Sequence, residues 1–363
     1  MKISRINWQV AAAYVGTLIG AGFASGQELM QFFVRFGIKG IWGAVVTGFF
    51  FSFLGGMTIY LTKHYGFRTY KDLLDLTLGP KISVLIDGLI MIFLFLGLSV
   101  MLSGSGALFK EHLGQPAILG VMVTEALVLL ALLARDEGVL WFNAILTPML
   151  VTILGMVAIS SIISTPAVGQ GDIMYDPFAG SLIVNNWLFS SIVYISYNMI
   201  GAVVVLVALT ADKKNCSFLG GALGGGFLFL LCLGTVTALL KAGSGAVSYQ
   251  IPMLYLAYQV NPLVFYLYGA VLWGAMITTA VADAYGLCRR LQFAWNIPYF
   301  VIIIIVAICV IPFSMYDFAQ LVSKVYPLFG YLSLIIILAL MGQSILLFKQ
   351  YLYLQIKRLR LFK

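Results

Sequence analysis

The first long apolar segment of the chain is interrupted by the stretch IGAGFASGQE at residues 19–28, which contains three glycines and a carboxylate. A membrane helix should be most regular at this depth. In hydrocarbon, an unpaired backbone amide or carbonyl costs several kcal/mol, so unwound chain persists only where it is buried in protein or lines a polar cavity. The interruption therefore predicts a site for a small molecule or an ion.

Composition places the whole chain in a membrane. Hydrophobic residues make up 62% of the 363 residues and charged residues 9%, far from the values of soluble domains. We expect one all-α transmembrane domain over residues 1–363, because no polar stretch is long enough for a soluble domain. The net charge of +8 comes from basic residues in short loops and near the C-terminus, as membrane topology requires, so nucleic-acid binding is not expected.

Hydropathy divides the chain into ten candidate transmembrane helices. With the N-terminus in the cytoplasm, sixteen of the 21 Lys and Arg residues lie on the inner side and five on the outer side, which predicts a multi-pass protein of the cell membrane with both termini cytoplasmic. The spans are residues 7–36, 38–62, 81–110, 115–134, 139–163, 184–211, 217–241, 262–288, 296–313 and 319–348.

The two halves of the chain share features that indicate an inverted repeat, residues 7–163 and 184–348. The first span of each half carries a polar or glycine interruption, IGAGFASG at 19–26 and SYNMIG at 196–201. A short amphipathic segment separates the second and third spans of each half, at 70–79 and 248–260. Five spans is an odd number, so the second half would sit upside down relative to the first, as in many transporters with broken helices.

The stretch GTLIGAGFASGQE at residues 16–28, followed by nine further spans, resembles the YkvI-like membrane proteins of the amino acid, polyamine and organocation (APC) transporter superfamily. The resemblance covers the whole chain. It implies the LeuT-type fold with broken first and sixth helices, in which spans one, two, six and seven rock against a scaffold that includes spans three, four, eight and nine.

The first interruption is the predicted substrate site. If the helix unwinds over residues 19–23 and restarts near Ala24 or Ser25, the new N-terminus presents unpaired amides and a positive dipole end, which favour an anion. In similar amino acid transporters that anion is the substrate α-carboxylate. The alternative is that the glycines serve helix packing, which we favour for Gly55, Gly56 and the run at 220–226. The substrate-binding candidates in the first span are Thr17, Gly20, Ala21, Gly22, Phe23, Ala24 and Ser25.

The sixth span is predicted to supply the opposite wall. Ser196 and Asn198 lie between apolar runs, where free carbonyls at a break would accept hydrogen bonds from a substrate ammonium. Tyr194 and Tyr197 are either pocket residues or ordinary core and lipid-facing aromatics. Phe23 and Trp273 are candidates for lids or walls on the same reasoning.

A cation site is predicted in span eight, within WGAMITT at residues 273–279. Paired hydroxyls there are often only bonded to carbonyls one turn earlier. The resemblance to sodium-coupled transporters implies instead that Na⁺ is held by five neutral oxygens, which suit a hard cation. Proton-coupled relatives place a lysine in span five, and residues 139–163 contain none, so sodium is favoured. The Na⁺ ligands would be the Thr278 and Thr279 hydroxyls and the carbonyls of Gly16, Ile19 and Ala275.

Carboxylates within apolar spans are functional candidates, because charge in hydrocarbon is costly. Glu28 is predicted to face the outer vestibule, where it meets Lys324 or Arg35 as a gate, binds a cationic substrate group, carries a proton, or forms a simple ion pair. Asp283 would close the inner path by pairing with Arg5 or Arg289.

The residues together predict a cation-coupled symporter, with Na⁺ as the coupling ion, that moves a small zwitterion such as an amino acid by alternating access. The alternatives are a proton-coupled transporter and a non-transporting receptor or sensor of the same fold. An enzyme is not expected, since there is no nucleophile with a base, metal-ligand cluster or phosphate loop, and no cofactor is predicted. The expected partners are the substrate and the lipid bilayer. Oligomeric state is not encoded in any recognisable pattern.

Overall fold

The structure, a computed structural model, describes residues 4–134, 138–164, 181–211, 213, 216–295 and 297–361, with the side chains at 83, 87, 134, 138–144, 293 and 347–361 left undescribed. Every regular element in these ranges is a helix. A 3₁₀ turn at Val34–Phe36 follows the third α-helix. The α-helices are α1 Arg5–Leu18, α2 Ala21–Ser25, α3 Gln27–Phe32, α4 Ile38–Tyr65, α5 Tyr70–Leu78, α6 Pro80–Leu113, α7 Ala117–Ala134, α8 Gly138–Ser164, α9 Trp187–Thr210, α10 Phe218–Ala242, α11 Ser244–Val247, α12 Pro252–Val260, α13 Pro262–Trp295, α14 Tyr299–Ser314 and α15 Phe318–Leu361.

The protein is a helical multi-pass membrane protein. Within the described residues, seven helices are long and apolar enough to cross a bilayer, namely α4, α6, α8, α9, α10, α13 and α15. Two further apolar helices, α7 and α14, are shorter, and the first predicted span is divided into short pieces. Large apolar side chains such as Leu130, Ile163 and Leu338 are exposed on the bundle, as contact with lipid requires. The count of ten spans stays a prediction.

Short helices lie where the repeat pattern placed its amphipathic segments. The first, α5, connects α4 to α6, and the second, α12, connects the α10–α11 region to α13. The α5 helix begins with a capping box, in which the Thr69 hydroxyl accepts from the Asp72 N–H at 3.3 Å while Asp72 Oδ2 accepts from the Thr69 N–H at 2.9 Å. Because Asp72 lies outside the spans and also accepts from the Arg68 N–H, these backbone bonds hold the pKa of its carboxyl below the usual value.

Glycines bring α10 into backbone contact with α4. A Cβ atom on Gly221 would overlap the backbone of Gly55 and Gly56, and one on Gly225 would overlap the backbone at Ser52. In a membrane the hydrophobic effect does not drive helices together, so their association depends on close packing, and small residues allow the backbones to approach. The packing role predicted for these glycines is confirmed.

The first span is broken, as predicted, but the break is shorter than expected. The α1 helix ends at Leu18, Ile19 caps it with φ −85° and ψ 70°, and Gly20 is extended with φ −85° and ψ −177°. The helix restarts at Ala21 rather than near Ala24 or Ser25. A second bend follows at Gly26, whose φ of +81° is a left-handed conformation that favours glycine.

The sixth span is not broken, so the prediction of a second interruption at residues 196–201 is wrong. The α9 helix is continuous from Trp187 to Thr210 and is capped by Asn186, whose side chain accepts from the N–H groups of residues 188 and 189 at 3.0 Å each. The Asn198 side chain donates to the Tyr194 carbonyl one turn earlier, at 3.0 Å. Polar side chains can be satisfied in this way inside a helix, and a single glycine at position 201 does not interrupt it.

Candidate functional site

The break in the first span leaves free space beside Gly20. A Cβ atom on Gly20 would meet no atom within 4 Å, whereas one on Gly16, a turn earlier, would lie 3.0 Å from Thr147 Cγ2. Gly16, Thr17 and Gly20 are half-buried, and all of residues 21–33 are buried. The main chain is therefore accessible on the N-terminal side of the break and sealed on the other side.

Two side-chain hydroxyls donate hydrogen bonds to carbonyls of α2. The Ser25 hydroxyl donates to the Gly22 carbonyl at 2.6 Å and accepts from the Gln27 N–H at 3.1 Å. The Tyr268 hydroxyl, on α13, donates to the Ala24 carbonyl. Ser25, a predicted substrate-binding residue, is thus engaged with its own backbone in this state, and α13 is bonded directly to the segment after the break.

The carboxylate of Glu28 lies against the α-carbon of Gly22. A Cβ atom on Gly22 would overlap Glu28 Oε1 and would lie 2.8 Å from Glu28 Cδ and 3.0 Å from the Tyr326 hydroxyl. The other carboxylate oxygen, Oε2, accepts a hydrogen bond from the Tyr197 hydroxyl of α9. We call the space above Gly22 that holds this carboxylate the Gly22 niche. Glu28 is 6% exposed, so the expectation that it faces an open vestibule is wrong.

Five buried rings form an aromatic cluster that includes Tyr197, the hydrogen-bond partner of Glu28; the cluster is made of Phe32, Phe33, Tyr194, Tyr197 and Tyr326. Tyr194 lies 5.3 Å from Phe32, 4.9 Å from Phe33 and 5.4 Å from Tyr197 between ring centroids. Tyr197 and Tyr326 stack at 5.1 Å with an interplanar angle of 11°. Both tyrosines of α9 therefore face the first span and not the lipid, and they connect it to α15.

The other two polar residues predicted in the sixth span differ in their bonding. Asn198 uses its amide on the preceding turn of α9, as described above. The Ser196 hydroxyl is fully buried and has no hydrogen-bond partner within the described part of the chain. Ser196 shares a face of α9 with Val193, which packs against Gly330 of α15. A buried hydroxyl without a partner is costly, so this position is suited to a polar ligand.

The predicted cation ligands of span eight are close together. The Thr278 and Thr279 hydroxyls both donate to the Ala275 carbonyl, at 3.1 and 2.8 Å. This is also the arrangement of ordinary hydroxyls in a membrane helix. The last carbonyls of α1, those of Gly16 and Ile19 among them, lie at a helix C-terminus, where the helix provides no partner for them.

The aromatic side chains proposed as lids have structural contacts. The Trp273 indole donates to the Thr124 hydroxyl of α7 at 2.9 Å and packs against Phe109 of α6, with ring centroids 5.3 Å apart. Trp273 therefore holds α13 to its neighbours rather than covering the break. Phe23 is 2% exposed within the buried segment after the break.

Among the described residues, Glu28 is not paired with Lys324, and Asp283 is not paired with Arg289. Lys324 is exposed, whereas Glu28 is buried and bonded to Tyr197. Arg289 donates to the Tyr285 hydroxyl at 3.3 Å and to Gln292 Oε1 at 3.2 Å, and Arg5 is exposed at the start of α1. The Asp283 carboxylate instead faces Gly97 of α6, where Oδ2 would lie 2.6 Å from a Cβ atom. The expected pairs of Glu28 with Lys324 and of Asp283 with Arg289 are thus wrong for this conformation.

Two residues of the site were missed by the sequence analysis, Tyr268 and Tyr326. Their hydroxyls reach the first span from α13 and α15, at Ala24 and Gly22. A tyrosine in an apolar helix carries no signal that separates a site residue from a packing residue. The only available hint was the number of tyrosines, 19 in the chain, which is too general to select these two.

Curated proteins similar to this chain over most of its length are found, while no family model matches it. The chain is 31% identical over 335 residues to the membrane protein YkvI of Bacillus subtilis, which covers 92% of this chain and 94% of YkvI. It is 28% identical over 337 residues to the protein YyaD of the same organism, over 92% of this chain and 95% of YyaD.

Solved structures of transporters share the fold at low sequence identity. The inward-facing conformation of Mhp1 superposes with a TM-score of 0.54 at 15% identity, over 84% of this chain and 69% of Mhp1. MhsT in complex with L-phenylalanine gives 0.56 at 16% identity, over 88% and 80%. The Eremococcus coleocola manganese transporter, in complex with an aromatic bis-isothiourea substituted compound, gives 0.51 at 16% identity, over 85% and 69%. This architecture is the LeuT-type fold.

Proposed function

Because the chain belongs to the family of the Bacillus subtilis membrane protein YkvI and has the LeuT-type fold, we propose that it is a cation-coupled secondary transporter of the APC superfamily. Its cargo is a small zwitterionic solute such as an amino acid, its coupling ion is Na⁺, and it works by alternating access. The observation that carries the proposal is the broken first span, with open space at Gly20 on one side and a sealed segment on the other.

The asymmetry about the break supports alternating access. Residues 21–33 are buried and Glu28 is bonded to Tyr197, so the segment after the break is closed to solvent in this state. Gly16 and Thr17 remain half-buried on the N-terminal side. A carrier needs such a state, open on one side of its central site, and a second state in which the sealed segment moves away.

A small organic solute is favoured over a metal as cargo. The proteins of this fold named above include one in complex with L-phenylalanine and one named as a manganese transporter, so the fold alone does not choose. In the part of the chain that the structure describes, no three His, Cys, Asp or Glu side chains come together as metal ligands. Backbone groups, hydroxyls and aromatic rings dominate around the break instead, and these suit an organic solute.

Na⁺ is proposed to bind between the end of α1 and the hydroxyl pair of α13. Ala275 O, Thr278 Oγ1 and Thr279 Oγ1 already lie close together, joined by hydrogen bonds of 3.1 and 2.8 Å. Carbonyl and hydroxyl oxygens of this kind are neutral hard ligands, which suit a hard cation. The carbonyls of Gly16 and Ile19 would complete the set.

Uptake into proteoliposomes tests the proposal. Labelled L-alanine and L-phenylalanine are offered to vesicles with an inward Na⁺ gradient, an inward K⁺ gradient or a proton gradient alone. We expect uptake with Na⁺, and we expect the double substitution Thr278→Ala and Thr279→Ala to abolish it. Thr237→Ala is the matched control, because the Thr237 hydroxyl also donates to a carbonyl one turn earlier, at 2.7 Å, but lies on α10.

Each outcome of the uptake experiment decides a part of the proposal. Na⁺ dependence that survives the double substitution refutes the ion site. Uptake driven equally by a proton gradient without Na⁺ favours the proton-coupled alternative, for which the buried Glu28 is the candidate. Specific ligand binding without uptake of any solute refutes transport and favours a receptor of the same fold.

A further inference from the structure

The Glu28 carboxyl group is buried, and its charged form would have no compensating partner. Its hydrogen-bond partner is the neutral Tyr197 hydroxyl, and no cationic side chain of the described residues acts on the carboxylate. Removing an ionised carboxylate from water without a partner is expensive, so such groups in membranes pair with a cation or mark a pathway. A positively charged ligand would supply the missing partner.

The surroundings of Glu28 are suited to an organic cation. Aromatic rings pack closely beside Glu28: the Tyr194, Tyr197 and Phe32 centroids are 5.3 to 5.7 Å apart, and two of these three contacts are edge-on. Ring faces attract ammonium groups electrostatically, most strongly when water is excluded.

Because the Gly22 niche is already filled, a ligand carboxylate cannot bind there, and this limits how a ligand can be oriented. The position above Gly22 that a ligand carboxylate would need is filled by the Glu28 carboxylate itself. Two carboxylates in one low-dielectric site repel each other. The end of the ligand that meets the sealed segment is therefore the cationic end, and the free space beside Gly20 is left for the rest of the molecule.

We propose that Glu28 and the aromatic cluster form a binding site for the protonated amino group of the substrate, so that the substrate class is defined by an ammonium group and a carboxylate on the substrate is dispensable. The inference rests on the proposed transport function for its biological meaning. Binding itself is independent of transport.

Binding to purified protein separates the chemical requirements. The probes form two matched sets that differ only in charged groups: L-alanine, ethylamine and propionate, and L-phenylalanine, 2-phenylethylamine and 3-phenylpropionate. Thermal stabilisation is measured at fixed pH and fixed Na⁺ concentration. We expect at least one amine and its parent amino acid to bind, and neither carboxylate. In Glu28→Gln, the Kd of the bound amine should rise about thirtyfold or more, the equivalent of about 2 kcal/mol.

Controls keep the outcome interpretable. Glu125→Gln removes another buried carboxylate, on α7, whose Oε2 has no partner among the described residues, and should leave amine binding unchanged. Glu28→Asp keeps the charge but shortens the side chain, and should weaken amine binding less than Glu28→Gln does. The melting temperature without ligand shows whether each variant is folded.

The inference is overturned by binding of propionate or 3-phenylpropionate, by unchanged amine affinity in Glu28→Gln, or by no binding of any amine to the wild-type protein. A Glu28→Gln effect confined to Na⁺ or pH dependence also counts against it, because that would assign Glu28 to the coupling ion. Failure of transport has a separate signature, namely intact Glu28-dependent amine binding without uptake into vesicles.

Discussion

The substitution Gly22→Ala tests whether the carboxylate of Glu28 really occupies the niche above Gly22. The new methyl group would overlap Glu28 Oε1 and would lie 2.8 Å from Glu28 Cδ and 3.0 Å from the Tyr326 hydroxyl. Overpacking of this kind costs about 1–3 kcal/mol. If the carboxyl group swings away instead, its hydrogen bond from Tyr197 is lost, and leaving a buried polar group without a partner costs about 1–3 kcal/mol. We expect a loss of about 1–3 kcal/mol by either route.

Gly20→Ala is the matched control, since it makes the same chemical change two residues away. No atom lies within 4 Å of the new methyl group, and a φ of −85° is accessible to alanine. We expect its free energy of unfolding to stay within about 0.5 kcal/mol of the wild-type value or to rise slightly, because alanine restricts the unfolded chain.

Reversible unfolding in mixed SDS and detergent micelles measures both variants, and a double-mutant cycle with Glu28→Ala identifies the cause. Without the Glu28 carboxylate, the Gly22→Ala penalty should fall, with a coupling energy of about 1–3 kcal/mol. A Gly22→Ala protein as stable as Gly20→Ala refutes the placement of the carboxylate. A penalty that is unchanged in the Glu28→Ala background assigns the strain to another neighbour.

Two other predictions concern positions away from the break. Gly225→Ala should destabilise the protein by more than about 3 kcal/mol, the upper end of ordinary overpacking, because its methyl group would overlap the backbone at Ser52. Gly226→Ala is the control and should be neutral, since its methyl group meets no atom within 4 Å. Equal stability of the two variants in the same unfolding assay would contradict the α4–α10 packing. Asp72→Asn should reduce stability at neutral pH, because it removes a carboxyl group whose pKa is lowered on folding. The greater stability of the wild-type protein is present above the Asp72 pKa of the unfolded chain, about 4, and is lost as the pH falls through the Asp72 pKa of the folded protein. A stability difference that grows on acidification would contradict the capping role.

Local sequence was enough to locate the break in the first span, because its cause is local. Glycines at 20, 22 and 26 permit backbone conformations that a regular helix excludes, and one of them, Gly26, has a positive φ. The close-packing glycines of α10 were predicted for the same reason, since small residues act through a single partner helix.

The remaining features depend on contacts that are distant in sequence. Whether the polar triplet at residues 196–198 breaks a helix depends on its surroundings. The Asn198 amide donates a hydrogen bond to a carbonyl of α9, so the helix can stay continuous there. The orientation of Glu28 is decided by Tyr197 and Tyr326, which are far along the chain. A single sequence shows that a carboxylate is present in a span but not which ring or charge will meet it, and the expected ion pairs failed for that reason.

The unbroken α9 has a mechanical consequence. Its 24 residues make a rod about 36 Å long, at about 1.5 Å per residue. Near its middle it is tied to Glu28 through Tyr197, and one turn further Gly201 borders Thr17 below the break. A continuous helix moves as one body, whereas a helix with a break can bend on one side of the break alone. A movement of α9 that separates Tyr197 from Glu28 is therefore expected also to shift Gly201 relative to Thr17.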